Sequence, residues 1–227
     1  MDYSRLEFFI SKPRMDKFLS AVMNSEQNAK KLYHINLNVS RSFYPILHMF
    51  EIALRNSMYE RLTHHFSDPH WILQQKNGFM SDRSLAVSGF HMKHSVREAE
   101  EIVLNKYGLI SSTRVMANQH FGFWTRLFDL AHYRLIGGST IHCFPNRPSF
   151  ANRRDIASKL NRIRSFRNRI YHNEPICFSG YCVNFDLATT IQREIYEVLQ
   201  WMDQDLAAYV RHFDDIDSEL VRLTELQ

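Results

Sequence analysis

The sequence predicts an all-α fold, built from four or more long antiparallel helices. Three observations predict it. Seven Gly and six Pro in 227 residues leave few breaks in the chain. β-branched residues do not gather into alternating runs, so strand signals are thin. Several stretches instead carry apolar residues at steps of three and four, the period of a helix with one buried face. The length suffices for one sizeable core without disulfide or metal staples, so a single domain over 1–227 is expected.

Each helix has its own signal. In "SKPRMDKFLSAVM", Ser11 is a candidate cap and Pro13 suits a first turn. A second stretch, about 25–38, carries Ala29, Leu32 and Tyr33 at helical spacing. The next, "SRSFYPILHMFEIALRNSMYERLTHHF", has the stripe Leu47, Phe50, Leu54, Met58 and Leu62, with Pro45 expected in its first turn. Residues 68–90 are turn-rich and read as irregular. Ser95 with Glu98 forms a capping-box pattern, and Gly108 closes that helix. Phe123, Leu127, Leu130 and Leu135 predict a core stripe ended by Gly137 and Gly138. From Asp186, an expected cap, Leu187, Ile191, Ile195, Val198, Met202, Leu206 and Tyr209 step along one bundle helix.

Cys143, Cys177 and Cys182 are too few for a disulfide framework and form no zinc pattern with nearby histidines, which suits a reduced, cytoplasmic compartment. The N-terminus lacks a signal-peptide pattern, and no run approaches the roughly 18 apolar residues of a membrane span. No cofactor is expected. "IGGST" at 136–140 lacks the lysine of a phosphate loop, and the His64–His65 and His91–His94 pairs lack a Glu or Cys at ligand spacing.

Charge is unevenly placed. Between 147 and 172 lie Arg147, Arg153, Arg154, Lys159, Arg162, Arg164, Arg167 and Arg169, against one acid, Asp155. After 186 the sign reverses, with Asp203, Asp205, Asp214, Asp215, Asp217 and Glu219. A basic block of this density marks a polyanion surface, or else a solvated face balanced by the acidic tail.

Within that block Ile156, Leu160, Ile163, Phe166 and Ile170 define one core face. Arg167 lies within about 40° of Ile163 and Ile156 on a helical wheel, so it is expected along the buried stripe, paired or facing a ligand. Arg162, Arg164 and Arg169 leave that face and are expected in solvent. Asn173 tolerates a left-handed residue and Pro175 cannot continue a helix, so "NEP" is the stop. His172 is expected at the helix end, among arginines, where an imidazole could move a proton. Asn168, one turn earlier, shares its face.

A titratable histidine beside an arginine suits RNA cleavage by internal 2′-OH attack. Histidine moves the proton, arginine stabilises the charge on phosphorus, and the products are a 2′,3′-cyclic phosphate and a 5′-hydroxyl. DNA lacks the nucleophile and would be bound but not cut. Glu51, on the apolar side of its helix, is either an i,i+4 partner of Arg55 or a buried acid that orients a cation elsewhere.

"RRDIASKLNRIRSFRNRIYHNEPI" resembles the signature of the Abi-like (abortive infection) proteins of bacteria, within the HEPN superfamily. "FYPILHMFEIALRNSMYERL", "WIL" and "FGFWTRLF" resemble the same family in the same order, so the resemblance covers roughly 14–210. It implies a HEPN-like antiparallel bundle with extra N-terminal helices, and a metal-independent endoribonuclease acting in phage defence or as a toxin. The family's R-x4-6-H motif falls on Arg167 and His172, with Asn168 as its polar residue. Tyr171 would orient them, and Arg153, Arg154, Lys159, Arg162, Arg164 and Arg169 would hold RNA. Glu51, Arg55, Asn56 and Glu174 would support the motif. A homodimer with two motifs in one composite cleft is implied, as is a cognate structured RNA in some members. Where many relatives read H-H-E-P, this chain has Asn173. Two other readings stay open: an RNA-binding or partner-binding module without cleavage, and a structural role with Arg167 paired to Glu51.

Overall fold

The computed structural model describes residues 1–86 and 91–223. Nearly all its regular structure is helical. In chain order the helices are α1 (Tyr3–Ile10), α2 (Lys12–Ala21), α3 (Glu26–Phe66), α4 (Trp71–Gln74), α5 (Met92–Tyr107), α6 (Ser112–Ala117), α7 (Phe121–Arg126), α8 (Leu130–Leu135), α9 (Arg153–Tyr171), α10 (Asp186–Met202), α11 (Gln204–Arg211) and α12 (Ile216–Val221). Among the described residues the only sheet is a hairpin of β1 (Phe178–Ser179) and β2 (Cys182–Val183). The all-α expectation holds, and no described helix is long and apolar enough to cross a membrane.

The backbone groups into two compact units: Met1–Met49, Ser165–Tyr196 and Ala207–Gln227 form the first, and Phe50–Arg164 with Glu197–Leu206 the second.

In the first unit, α1 is capped by Asp2, whose carboxylate accepts the Arg5 N–H at 2.8 Å. The Tyr3 hydroxyl donates to the Met15 carbonyl and ties α1 to α2. Ser11 takes the cap position of α2 with Pro13 in the first turn, but at φ 94° it makes no side-chain cap bond. Phe18 packs edge-on against Tyr33 and Phe178, and Phe43 against Phe166 at 4.7 Å.

The two helices expected between 25 and 66 are one. Pro45 lies inside α3, not in a first turn. An interior proline costs about 3 kcal/mol through a lost bond and a clash. Phe43, Ile46 and Leu47 around it are fully buried. Each such burial is worth roughly 1.5–3 kcal/mol, so packing carries the helix through.

In the second unit Trp71, Phe123, Trp124, Phe128 and Phe144 are fully or almost fully buried. The expected capping box at Ser95 is not used. The α5 helix starts at Met92, and buried Ser95 donates to Gln119 Oε1 at 2.7 Å. Gly108, at φ 75°, is the left-handed stop. The stretch expected to be one stripe from 123 to 135 breaks into α7 and α8, and Leu130 is exposed. The stretch read as irregular holds α4 and two short 3-10 turns; residues 87–90 lie outside the described residues. The helix expected from 186 to 212 is broken at Asp203, whose carboxylate accepts the Leu206 N–H and starts α11. Leu187 and Tyr209 are exposed, so the stripe is narrower than expected.

Candidate functional site

The α9 helix ends in a Schellman motif. His172 is the cap residue, and its N–H still bonds to the Asn168 carbonyl at 2.9 Å. Asn173 follows in the left-handed region at φ 57°. Its N–H goes to Ile170, and the Glu174 N–H goes back to Arg169 at 2.8 Å, which satisfies the last carbonyls. Arg169 clamps the exit: Nη2 donates to the Pro175 carbonyl, and Nε lies 3.6 Å from the Glu174 carboxylate. Downstream, the Ile176 N–H donates to Asn36 Oδ1 at 2.8 Å. The exposed His172 therefore hangs from a backbone anchored on both sides.

Arg167 is half-buried and lies flat over the Tyr171 ring, 3.9 Å from its centroid, with Nη1 3.4 Å from Asn168 Oδ1. The stack continues onto α3. Tyr44 lies 6.4 Å from Tyr171 at an interplanar angle of 30°, and His48 lies 6.0 Å from Tyr44 at 14°. Tyr171, Tyr44 and His48 are all exposed. The result is a surface track of guanidinium, phenol, phenol and imidazole, all within the first unit. Exposed flat rings beside a cation are what unstacked bases and their phosphates bind.

Arg167 and His172 do not share a face. Five residues on a helix separate side chains by about 140°. Arg167 lies with Tyr171 along the track and also reaches Asn168 Oδ1.

The other cations of α9 divide. Arg154 and Arg162 are exposed, Arg162 bonding to Ser158 Oγ within its own helix. Arg153 donates to the Phe128 carbonyl at 2.6 Å. Lys159 meets Glu197 at 2.7 Å and lies over Trp201. Arg164 is no solvent cation: it is half-buried and donates to Thr125 Oγ1 at 2.9 Å. Its pKa is lowered by burial, then by the neighbouring Arg126. Arg169 is likewise engaged, as above, where solvent was expected. Glu51 is half-buried, and Arg55 Nε donates to Asn56 Oδ1 at 3.4 Å.

Sequence reasoning missed Tyr44 and His48. Their signal was present: they are an i,i+4 aromatic pair about 100° round the helix from the buried Phe43 and Leu47. Comparison with family models, curated proteins and solved structures found no match to this chain.

Proposed function

We propose that this chain is an endoribonuclease of the Abi-like HEPN type, cutting RNA by 2′-OH attack in phage defence or as a toxin. The observation that carries the reading is the exposed track from Arg167 through Tyr171 and Tyr44 to His48, at the helix end that presents His172. Bases stack on the rings, and the backbone runs past the guanidinium. His172 moves a proton: as base it takes the 2′-OH proton, or as acid it protonates the departing 5′-oxygen. Arg167 stabilises the charge that builds on the phosphorane. The P–O5′ bond breaks as the P–O2′ bond forms, so no external nucleophile is needed. The arginine and histidine of one copy lie on different faces, so a second copy would complete the site, and the working form is a homodimer.

That angular separation also favours a second reading: the same track binds a structured RNA without cutting it. One experiment separates the two. Purified wild type and His172→Ala are incubated with total bacterial RNA and tRNA in EDTA, with end-group mapping and matched thermal unfolding. Cyclic phosphate ends made by wild type and lost in a folded mutant support the nuclease. Equal gel shifts without cutting by either protein support the binding module. Neither cutting nor shifting ends both readings.

A further inference from the structure

Beside the cap of α9 is a cavity of about 420 Å³, formed by segments of the first unit. That volume is in the range of small-ligand sites, roughly 300–1,000 Å³. His172 lines it, together with Arg14, Asn36 and Glu174. Tyr33 and Ile170 supply apolar wall, and Phe9, 64 % exposed, stands at the edge.

Asn36 gives the cavity its chemistry. It is only 5 % exposed. Its Oδ1 is occupied by the Ile176 N–H at 2.8 Å, which fixes which way round the amide sits. The acceptor end is used by the fold, and the NH₂ end is left as a donor at the cavity wall. An amide NH₂ at a cavity wall can donate to an occupant, so the site suits one that brings an acceptor. Arg14 adds a cation, Glu174 an acceptor, and Phe9 a large exposed ring with no core to join.

We infer that this cavity takes one unstacked nucleotide of a single-stranded RNA. The base enters along Tyr33 and Ile170, an edge acceptor meets the Asn36 amide, and the phosphate lies toward Arg14. This rests on the RNA reading above and deepens it: the track tolerates any base, whereas the cavity reads one. His172 borders the cavity, so the read nucleotide lies next to the scissile phosphate.

The test uses single-stranded 2′-O-methyl RNA decamers, which cannot be cut because the nucleophile is blocked. One position is varied among the four bases, and binding is read by fluorescence anisotropy. Wild type should prefer one base at that position at least threefold. Asn36→Asp keeps the oxygen that holds Ile176 and removes the donor; it should abolish the preference. Arg14→Gln and Phe9→Ala, which leave the core untouched, should weaken the preferred decamer about tenfold. Tyr44→Ala should weaken all four decamers alike. Wild-type binding without preference, unchanged in the Asn36, Arg14 and Phe9 variants, would overturn the cavity while leaving the track and the RNA reading in place. No binding of any decamer by wild type, with no cleavage of natural RNA, would remove both. Free nucleoside 5′-monophosphates are the last arm. If they bind as tightly as the decamers and lose binding in Asn36→Asp, the occupant is a free nucleotide and the RNA assignment fails.

Discussion

The two ends of α9 carry similar residues and use them differently. Toward its start, Arg153, Lys159 and Arg164 each hold a partner in the second unit: the Phe128 carbonyl, the Glu197 carboxylate and the Thr125 hydroxyl. At its end, Arg167 lies over the exposed Tyr171, and His172 is exposed beside a cavity. A basic helix is therefore not one surface. Charge density in a sequence counts cations; only their partners tell which ones serve the fold and which face outward.

That contrast can be broken most sharply at Arg167 and His172. On the proposed reading, His172→Ala should lower the rate of RNA cleavage by about 10²–10⁴-fold. Arg167→Ala should lower it by about 10²–10³-fold, as removal of a transition-state donor does. His172→Ala should leave the urea unfolding midpoint nearly unchanged. A large loss of stability there would put the cap of α9 in the same class as its start.

The start of the helix should behave the opposite way. Arg164→Ala removes a charged hydrogen bond to the Thr125 hydroxyl, which keeps its bond to the Gly122 carbonyl, and should cost about 1.5–3 kcal/mol in urea unfolding. RNA affinity per folded molecule should stay the same. A loss of affinity without a loss of stability would reverse the assignment.

The track is sharpened by Tyr44→Ala. Loss of one stacking platform should weaken single-stranded RNA binding by about 1–3 kcal/mol, with thermal stability unchanged. The cap comes next. Asn173→Val places a β-branched residue at φ 57° and should destabilise by about 1–2 kcal/mol, whereas Asn173→Gly should be neutral. Circular-dichroism melts of the two variants check this.

The smallest effect is read by acid. His132 on α8 is buried, with both ring nitrogens unpartnered. Burial lowers its pKa most; Asp129 works against that and Arg126 adds to it. The unfolded chain takes up a proton near 6.5, while the folded chain still resists. Stability present above that pH is therefore lost as pH falls through and below it. In His132→Leu the fall of melting temperature between pH 7.5 and 5 should be shallower, since an apolar side chain has no proton to take up.

How much of this was legible in the sequence depends on how local each feature is. The apolar face of α9 was readable, as was its stop: Asn173 adopts the left-handed turn and Pro175 follows. Those are properties of neighbouring residues. Pro45 was misplaced because the packing of Phe43, Ile46 and Leu47 outweighs a local rule. Ser95 was misread because a buried partner, Gln119, outcompetes a cap. The Tyr44–Tyr171 contact and the cavity need residues more than a hundred positions apart, and no periodicity reports that.

The Schellman cap has one more consequence, for length and not for chemistry. It fixes where α9 must end, because Asn173 and the Arg169 clamp register the helix to the segment that follows. A residue inserted between Asn168 and Tyr171 would turn Arg167 by about 100° and slide it about 1.5 Å relative to that fixed end. The guanidinium would leave the Tyr171 ring altogether. A substitution within the motif touches single contacts, whereas an insertion moves Arg167 against everything beyond the cap at once.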